Sequence, residues 1–265
     1  MEGVLIVEDF GYKKAIEHSK QHDVLYQYTI FEALKCIVQN HSLRLTRIDL
    51  LNDKVENNSI IDLWKKKVFV ACFTHRECES PFFWNEYSKK SHEGVRISFS
   101  RHSLENLKAY PDEKCISEQL KSCKKTEQIT SRSMQIDSTH WGIFDYSILD
   151  IAYIDRNQLV NCDDNTQGRI KYHEWDLESE TRLRVAIRPR FFESYLDERT
   201  NKMAYHNPGN KYIYLKLSDQ CLRSMTITLS PYSDTKLKQR VNELLENNNL
   251  KDYVQISESI LSGEV

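Results

Sequence analysis

Glycine is scarce in this chain, with 7 in 265 residues. Neither a G-x-G-x-x-G run nor a phosphate-loop motif occurs, which argues against Rossmann and P-loop nucleotide binding. No G-x-S-x-G elbow marks a serine nucleophile. No apolar run approaches the ~20 residues needed to cross a membrane. The first nine residues are acidic, and their apolar part is too short for a signal peptide. The 7 cysteines are odd in number and irregularly spaced. Reduced thiols and a cytoplasmic location are therefore expected. Excess charge is lacking too: the formal net charge is -2. Lysine and arginine are scattered, so there is no broad basic footprint for nucleic acid. A mild exception is Lys121, Lys124, Lys125 and Arg132.

What is present is ordinary for a folded domain: 40% apolar and 29% charged residues. The length allows one large domain or two small ones. A short polar helix is expected over residues 12–22, within an N-terminal segment 1–23. Leu25-Tyr26-Gln27-Tyr28 reads as a strand. Thr29 has the form of a helix N-cap, with Glu32 completing a capping box. Phe31, Leu34, Ile37 and Val38 give that helix its apolar stripe. Leu43 to Arg47 alternates as a strand, and Asn52-Asp53 opens a polar loop that includes Glu56.

Val68 to Phe73 is the most apolar run and reads as a central strand. Ser80-Pro81 suits the start of a helix over Phe82 to Tyr87. After Gly94, Val95 to Phe99 alternates again. Residues 111–138 are polar and are expected to be an insertion. Strands follow at 147–154, 212–217 and 225–229. Asp234 is placed to cap a helix to Asn247, with Leu237, Val241, Leu244 and Leu245 on one face, and a last strand lies near Val254-Gln255-Ile256. Helices and strands mix without strict alternation, which points to an α+β domain over residues 24–258.

The densest chemistry lies between Lys171 and Ile187. Leu183, Val185 and Ile187 alternate with Arg182, Arg184 and Ala186, as in a strand with one face buried. If the strand begins near Glu178, then Glu178, Glu180 and Arg182 share its other face. Two such carboxylates repel each other, and a neighbouring cation offsets this. The charge pattern fits either a ligand-holding group or a solvated face with a surface ion pair. Trp84 and Tyr87, spaced i, i+3, suit either core packing or, with Tyr28, a stacking wall. Cys72, His75 and Cys78 lack an obvious fourth ligand, so they are a poor zinc pattern and no metal is expected. Cys72 sits in the most apolar run, where burial raises a thiol pKa rather than activating it.

Taken in order, these segments resemble the bacterial domain of unknown function 2971 family. The matching residues are Tyr26-Gln27-Tyr28-Thr29, Asn52-Asp53 with Glu56, Cys72-Phe73, Trp84 with Tyr87, Gly94, and Lys171, Trp175, Glu178, Glu180 and Arg182. The resemblance covers about residues 24–258, and its specificity lies in the number and order of the motifs. A more distant similarity links the opening strand to ADP-ribosyltransferase-like proteins. In those, a first-strand His or Arg holds the ribose of NAD, an aromatic residue stacks on nicotinamide, and a late Glu, often in a Glu-x-Glu pair, supports the reaction.

This resemblance implies two small packed sheets around a cleft with flanking helices. It implies NAD as substrate, Glu180 as the key carboxylate and Glu178 orienting the acceptor. Tyr26, Gln27, Tyr28, Thr29, Asn52, Asp53, Trp84, Tyr87 and Arg182 would line the NAD site. The partner would be a macromolecular acceptor of ADP-ribose, and the role that of a bacterial toxin or anti-phage effector. Gln27 departs from the pattern, standing where the His would be. It can hydrogen-bond ribose hydroxyls but cannot act as an imidazole. This favours the alternative, a non-catalytic nucleotide-sensing or protein-interaction module.

Overall fold

A computed structural model describes residues 22–51, 67–88, 91–105, 107, 141–155, 167–189, 195–197, 202–204 and 211–264. The helix expected at 12–22, apart from its last residue, the Asn52-Asp53…Glu56 loop and the segment 111–138 lie outside the described residues.

In chain order the elements begin with β1 (Val24–Ile30), α1 (Phe31–Asn40), β2 (Ser42–Arg47), β3 (Val68–Thr74), α2 (Pro81–Ser88), β4 (Gly94–Ser100) and α3 (Arg101–Glu105). Next come β5 (Trp141–Asp150), β6 (Ala152–Ile154), β7 (Ile170–Tyr172), a 3-10 turn (His173–Glu178), β8 (Glu180–Pro189), β9 (Tyr195–Asp197) and β10 (Lys202–Ala204). The chain closes with β11 (Tyr212–Lys216), α4 (Asp219–Arg223), β12 (Thr226–Leu229), α5 (Thr235–Asn247) and β13 (Gln255–Glu258). The architecture is α+β, as the unalternating pattern implied.

Nine of these strands form one hydrogen-bonded sheet, and β3 is its fork. One edge of β3 pairs with β8 throughout, from Val68↔Ala186 to Thr74↔Glu180. The other edge is shared. Its start pairs with β2 (Thr46↔Val70, Arg47↔Phe69) and its end with β1 (Tyr26↔Thr74). One branch continues as β2-β11 and the other as β1-β4-β12-β13, while β5 lies outside β8. The two expected sheets are therefore, among the described residues, branches of one sheet. Two two-stranded ribbons, β9-β10 and β6-β7, complete the pattern.

One face of the sheet carries the main core. Leu25, Phe73, Ile97, Phe99, Leu183, Val185 and Ile187 meet Phe31, Leu34, Leu237 and Val241 from α1 and α5. Both helices present the apolar stripes legible in their sequences. Asp234 caps α5 as its position implied: Oδ1 accepts from the Leu237 N–H at 3.0 Å.

Thr29 does not cap α1. It remains in β1, paired with Val95, and Ile30 takes the cap position without a side-chain bond. The Phe31 N–H instead donates to the Glu93 carbonyl at 2.8 Å. Strand pairing carries the chain past the local capping signal, and a backbone acceptor satisfies the orphan donor.

Candidate functional site

The alternation in β8 is real, but both of its faces are buried. Leu183, Val185 and Ile187 enter the main core. On the opposite face Glu180 is 3% exposed and Arg182 1%, which removes the solvated-face reading. The strand starts at Glu180 rather than near Glu178. Glu178 ends the preceding 3-10 turn, and Ser179 between them adopts a left-handed conformation (φ 43°). That reversal lets both carboxylates reach one cation.

Lys171 on β7 is this cation: its Nζ lies 2.6 Å from Glu178 Oε2 and 2.7 Å from Glu180 Oε2. Arg182 binds Glu180 in a fork, with Nε to Oε1 at 2.6 Å and Nη2 to Oε2 at 3.1 Å. Its Nη1 donates to the Gly168 carbonyl at 3.1 Å. Two carboxylates and two cations make the group neutral overall, as burial demands. Burial alone would raise the Glu180 pKa, but Arg182 and Lys171 outweigh it and hold it at about 2. The Cys72 thiol also hydrogen-bonds Glu180, and burial pushes that thiol well above its ordinary range.

The Tyr87 hydroxyl donates to Glu178 Oε1 at 2.6 Å and ties an aromatic cluster to this group. The Tyr28 ring stacks on Phe83 with centroids 5.1 Å apart and meets Trp84 edge-on at 4.8 Å. Phe83 in turn stacks on Tyr87 at 5.7 Å. Trp84 is fully buried, and its Nε1 donates to Glu79 at 3.0 Å. Tyr87 keeps an exposed flank, as do the neighbouring Phe82 and, on the 3-10 turn, Trp175 and Leu177. Lys171 Nζ lies 5.2 Å from the Trp175 ring centroid.

Of the expected site residues, Tyr28, Trp84, Tyr87, Glu178, Glu180 and Arg182 are therefore connected, and Tyr26 lies on their face of the sheet through its register with Thr74. The Arg96 guanidinium stacks over the Tyr26 ring at 3.8 Å. Gln27 is the exception. Strand alternation turns it to the opposite face, level with Ile97 of the main core. Its Nε2 reaches the Cys72 carbonyl at 3.4 Å. Thr29 points the same way as Gln27 by the same alternation. Asn52 and Asp53 lie outside the described residues.

Sequence reasoning missed Tyr153, Asp145 and Arg169. The Glu180 N–H donates to the Tyr153 hydroxyl at 2.9 Å. Asp145 Oδ2 accepts from Arg184 Nη1 at 2.6 Å and from Arg169 Nη2 at 3.0 Å, extending the buried charged face. The only sequence signal for that face was the recurrence of arginine at Arg182 and Arg184. Cys72, His75 and Cys78 do not converge: Cys72 bonds Glu180, Cys78 is exposed, and His75 Nδ1 lies 3.1 Å from Thr181 Oγ1.

No model of a known protein family, no curated protein and no solved structure matches this chain.

Proposed function

We propose that this chain is an ADP-ribosyltransferase-like member of the domain of unknown function 2971 family that binds NAD. It would transfer ADP-ribose to a macromolecule or hydrolyse NAD. The observation that carries the reading is the convergence, around one sheet face, of an aromatic cluster with a carboxylate pair. Tyr87 belongs to both groups, stacked on Phe83 and hydrogen-bonded to Glu178. Its exposed flank and that of Trp175 offer stacking surfaces for a planar base.

In this reading the bond between nicotinamide and ribose breaks, and nicotinamide leaves with the electron pair. The ribose carbon becomes oxocarbenium-like, and an acceptor hydroxyl or water closes the new bond and gives up its proton. A carboxylate held at about 2 is a weak base, so Glu180 would act by stabilising positive charge. Glu178, beside it, would orient the acceptor. A toxin or anti-phage role follows from the same resemblance.

A second reading, a non-catalytic nucleotide-sensing or protein-interaction module, is favoured by one specific observation. Both oxygens of Glu180 are engaged by Arg182, and Gln27 lies on the other face. Nicotinamide release from NAD by the wild type and by Glu180→Gln, with and without cell extract, separates the two when NAD binding is measured alongside by calorimetry. Release that disappears in the variant supports the enzyme. Binding without release supports the module. Neither release nor binding would sink the NAD assignment.

A further inference from the structure

On the core-facing side of the β3-β8-β5 edge, three side chains from distant parts of the chain meet. His22 precedes β1, His75 follows β3, and Asp150 ends β5. The two imidazoles stack in parallel, with centroids 4.0 Å apart and planes 10° from coplanar. Each addresses a different oxygen of the same carboxylate: His22 Nε2 lies 3.7 Å from Oδ2, and His75 Nδ1 lies 3.7 Å from Oδ1. The three donor atoms lie within 4.8 Å of one another.

Asp150 is only 5% exposed. Among the described residues no lysine or arginine pairs with its carboxylate. Its partners are the two imidazoles and the Thr181 hydroxyl, which donates to Oδ1 at 2.5 Å. A buried carboxylate is sustained by a paired cation or by a metal ion. Elsewhere in this fold buried carboxylates take arginine or lysine, as Glu180 takes Arg182 and Lys171. Here two imidazoles stand in that place. A sheet paired in register sets Asp150 opposite Thr181. The backbone N–H of His75 donates to the Ser179 carbonyl at 3.1 Å. The site is thus built from the most regular part of the molecule.

We propose that His22, His75 and Asp150 bind a first-row divalent transition ion of the zinc or ferrous class. Two imidazoles and one carboxylate are a donor set suited to such ions and poorly suited to magnesium or calcium. Bonds of about 2.1 Å require donors about 3 to 3.5 Å apart, so the widest-spaced donors close by roughly 1 to 2 Å, and the stacked rings turn out of parallel until their in-plane lone pairs meet at the ion. The ion takes over the His75 Nδ1 bond now made with Thr181, while the Thr181 hydroxyl goes on orienting the carboxylate. The side chains of His22 and His75 are 30% and 22% exposed, which leaves an entry path and room for water ligands. Binding requires both imidazoles to be neutral, so it releases any protons they carry. Glu180 faces the other side of β8, so this site is independent of the NAD reading.

The test is titration of the chelator-stripped full chain with Co²⁺, read by its visible d–d absorption, and with Zn²⁺ and Mg²⁺ by calorimetry. One equivalent of Co²⁺ in a non-octahedral spectrum, displaced by Zn²⁺ and not by Mg²⁺, is expected. His22→Gln, outside the strands and part-exposed, and Asp150→Asn should each weaken binding about tenfold or more. A wild type showing only the aquo-ion spectrum overturns the proposal. So does a folded His22→Gln that binds as tightly as the wild type.

Discussion

Arg182 grips Glu180 across two residues of the same strand, with one guanidinium nitrogen on each carboxylate oxygen. The pair is sealed: Arg182 is 1% exposed and Glu180 3%. Its energetics are those of the interior, where removing Arg182 leaves Glu180 with Lys171 alone and unbalances the buried charges. Arg182→Met should therefore destabilise the fold by about 3 to 5 kcal/mol. Replacing both residues with apolar ones of similar size should recover much of that loss. Urea denaturation of the single and double variants gives the coupling directly.

Acid sensitivity follows from the same contact. Glu180 is held at about 2 against an ordinary 4.5. A depressed folded-state pKa means the contribution is complete above the unfolded value and disappears as pH falls toward the folded one. Stability should decline between about pH 5 and pH 2, by about 3 kcal/mol from this group alone. In Glu180→Gln this part of the slope should vanish. Urea midpoints measured at successive pH values check it.

Thiol reactivity should divide by burial. Desolvation raises the Cys72 pKa well above the ordinary value, with Glu180 adding to the effect, and raises that of Cys221 to about 12. Cys36 and Cys78 are exposed. Timed alkylation of the native chain followed by mass spectrometry should label Cys36 and Cys78 early, the part-buried Cys72 slowly because its thiol is held protonated, and Cys221 only on unfolding.

Gly94 tests close packing where β4 begins. A Cβ there would lie 2.8 Å from Ser88 Cβ and Oγ and 2.9 Å from Ser230 Cβ. The Gly94 carbonyl also accepts from the Ser230 N–H at 2.9 Å, so the backbone has little freedom to retreat. Gly94→Ala should cost about 1 to 3 kcal/mol by overpacking, visible as a lowered thermal midpoint with unchanged far-ultraviolet dichroism.

The Tyr87 hydroxyl joins the aromatic cluster to Glu178, and its loss can be isolated. Tyr87→Phe keeps the ring on Phe83 and removes the bond to Glu178, which retains Lys171. A stability loss of about 1 to 3 kcal/mol is expected. If NAD stacks at this position, its affinity should survive Tyr87→Phe and fall in Tyr87→Ala, measured by calorimetry.

Periodicity in the chain was sufficient for most elements. The stripes Phe31-Leu34-Ile37-Val38 and Leu237-Val241-Leu244-Leu245 determined which helix faces are buried, because apolar area must leave water wherever the helix packs. The alternation in β8 identified its core face for the same reason. Asp234 marked the start of its helix because its cap needs only residues three apart. Thr29 shows where such local logic stops: β1 pairs with β4 through Ile30, and Glu93, remote in sequence, satisfies the helix.

The tertiary structure alone decided what the charges do. By charge pattern alone Glu180 and Arg182 read more readily as a solvated pair, and only the tertiary structure makes them a buried neutral group with Lys171. Pairing parity, set by Tyr26↔Thr74, put Gln27 on the face opposite Glu180. A one-residue choice of register moves every side chain across the sheet, and sequence spacing cannot express it. The meeting of His22, His75 and Asp150 belongs to the same class. Their proximity is a property of strand order, which long-range pairing sets and no local pattern records.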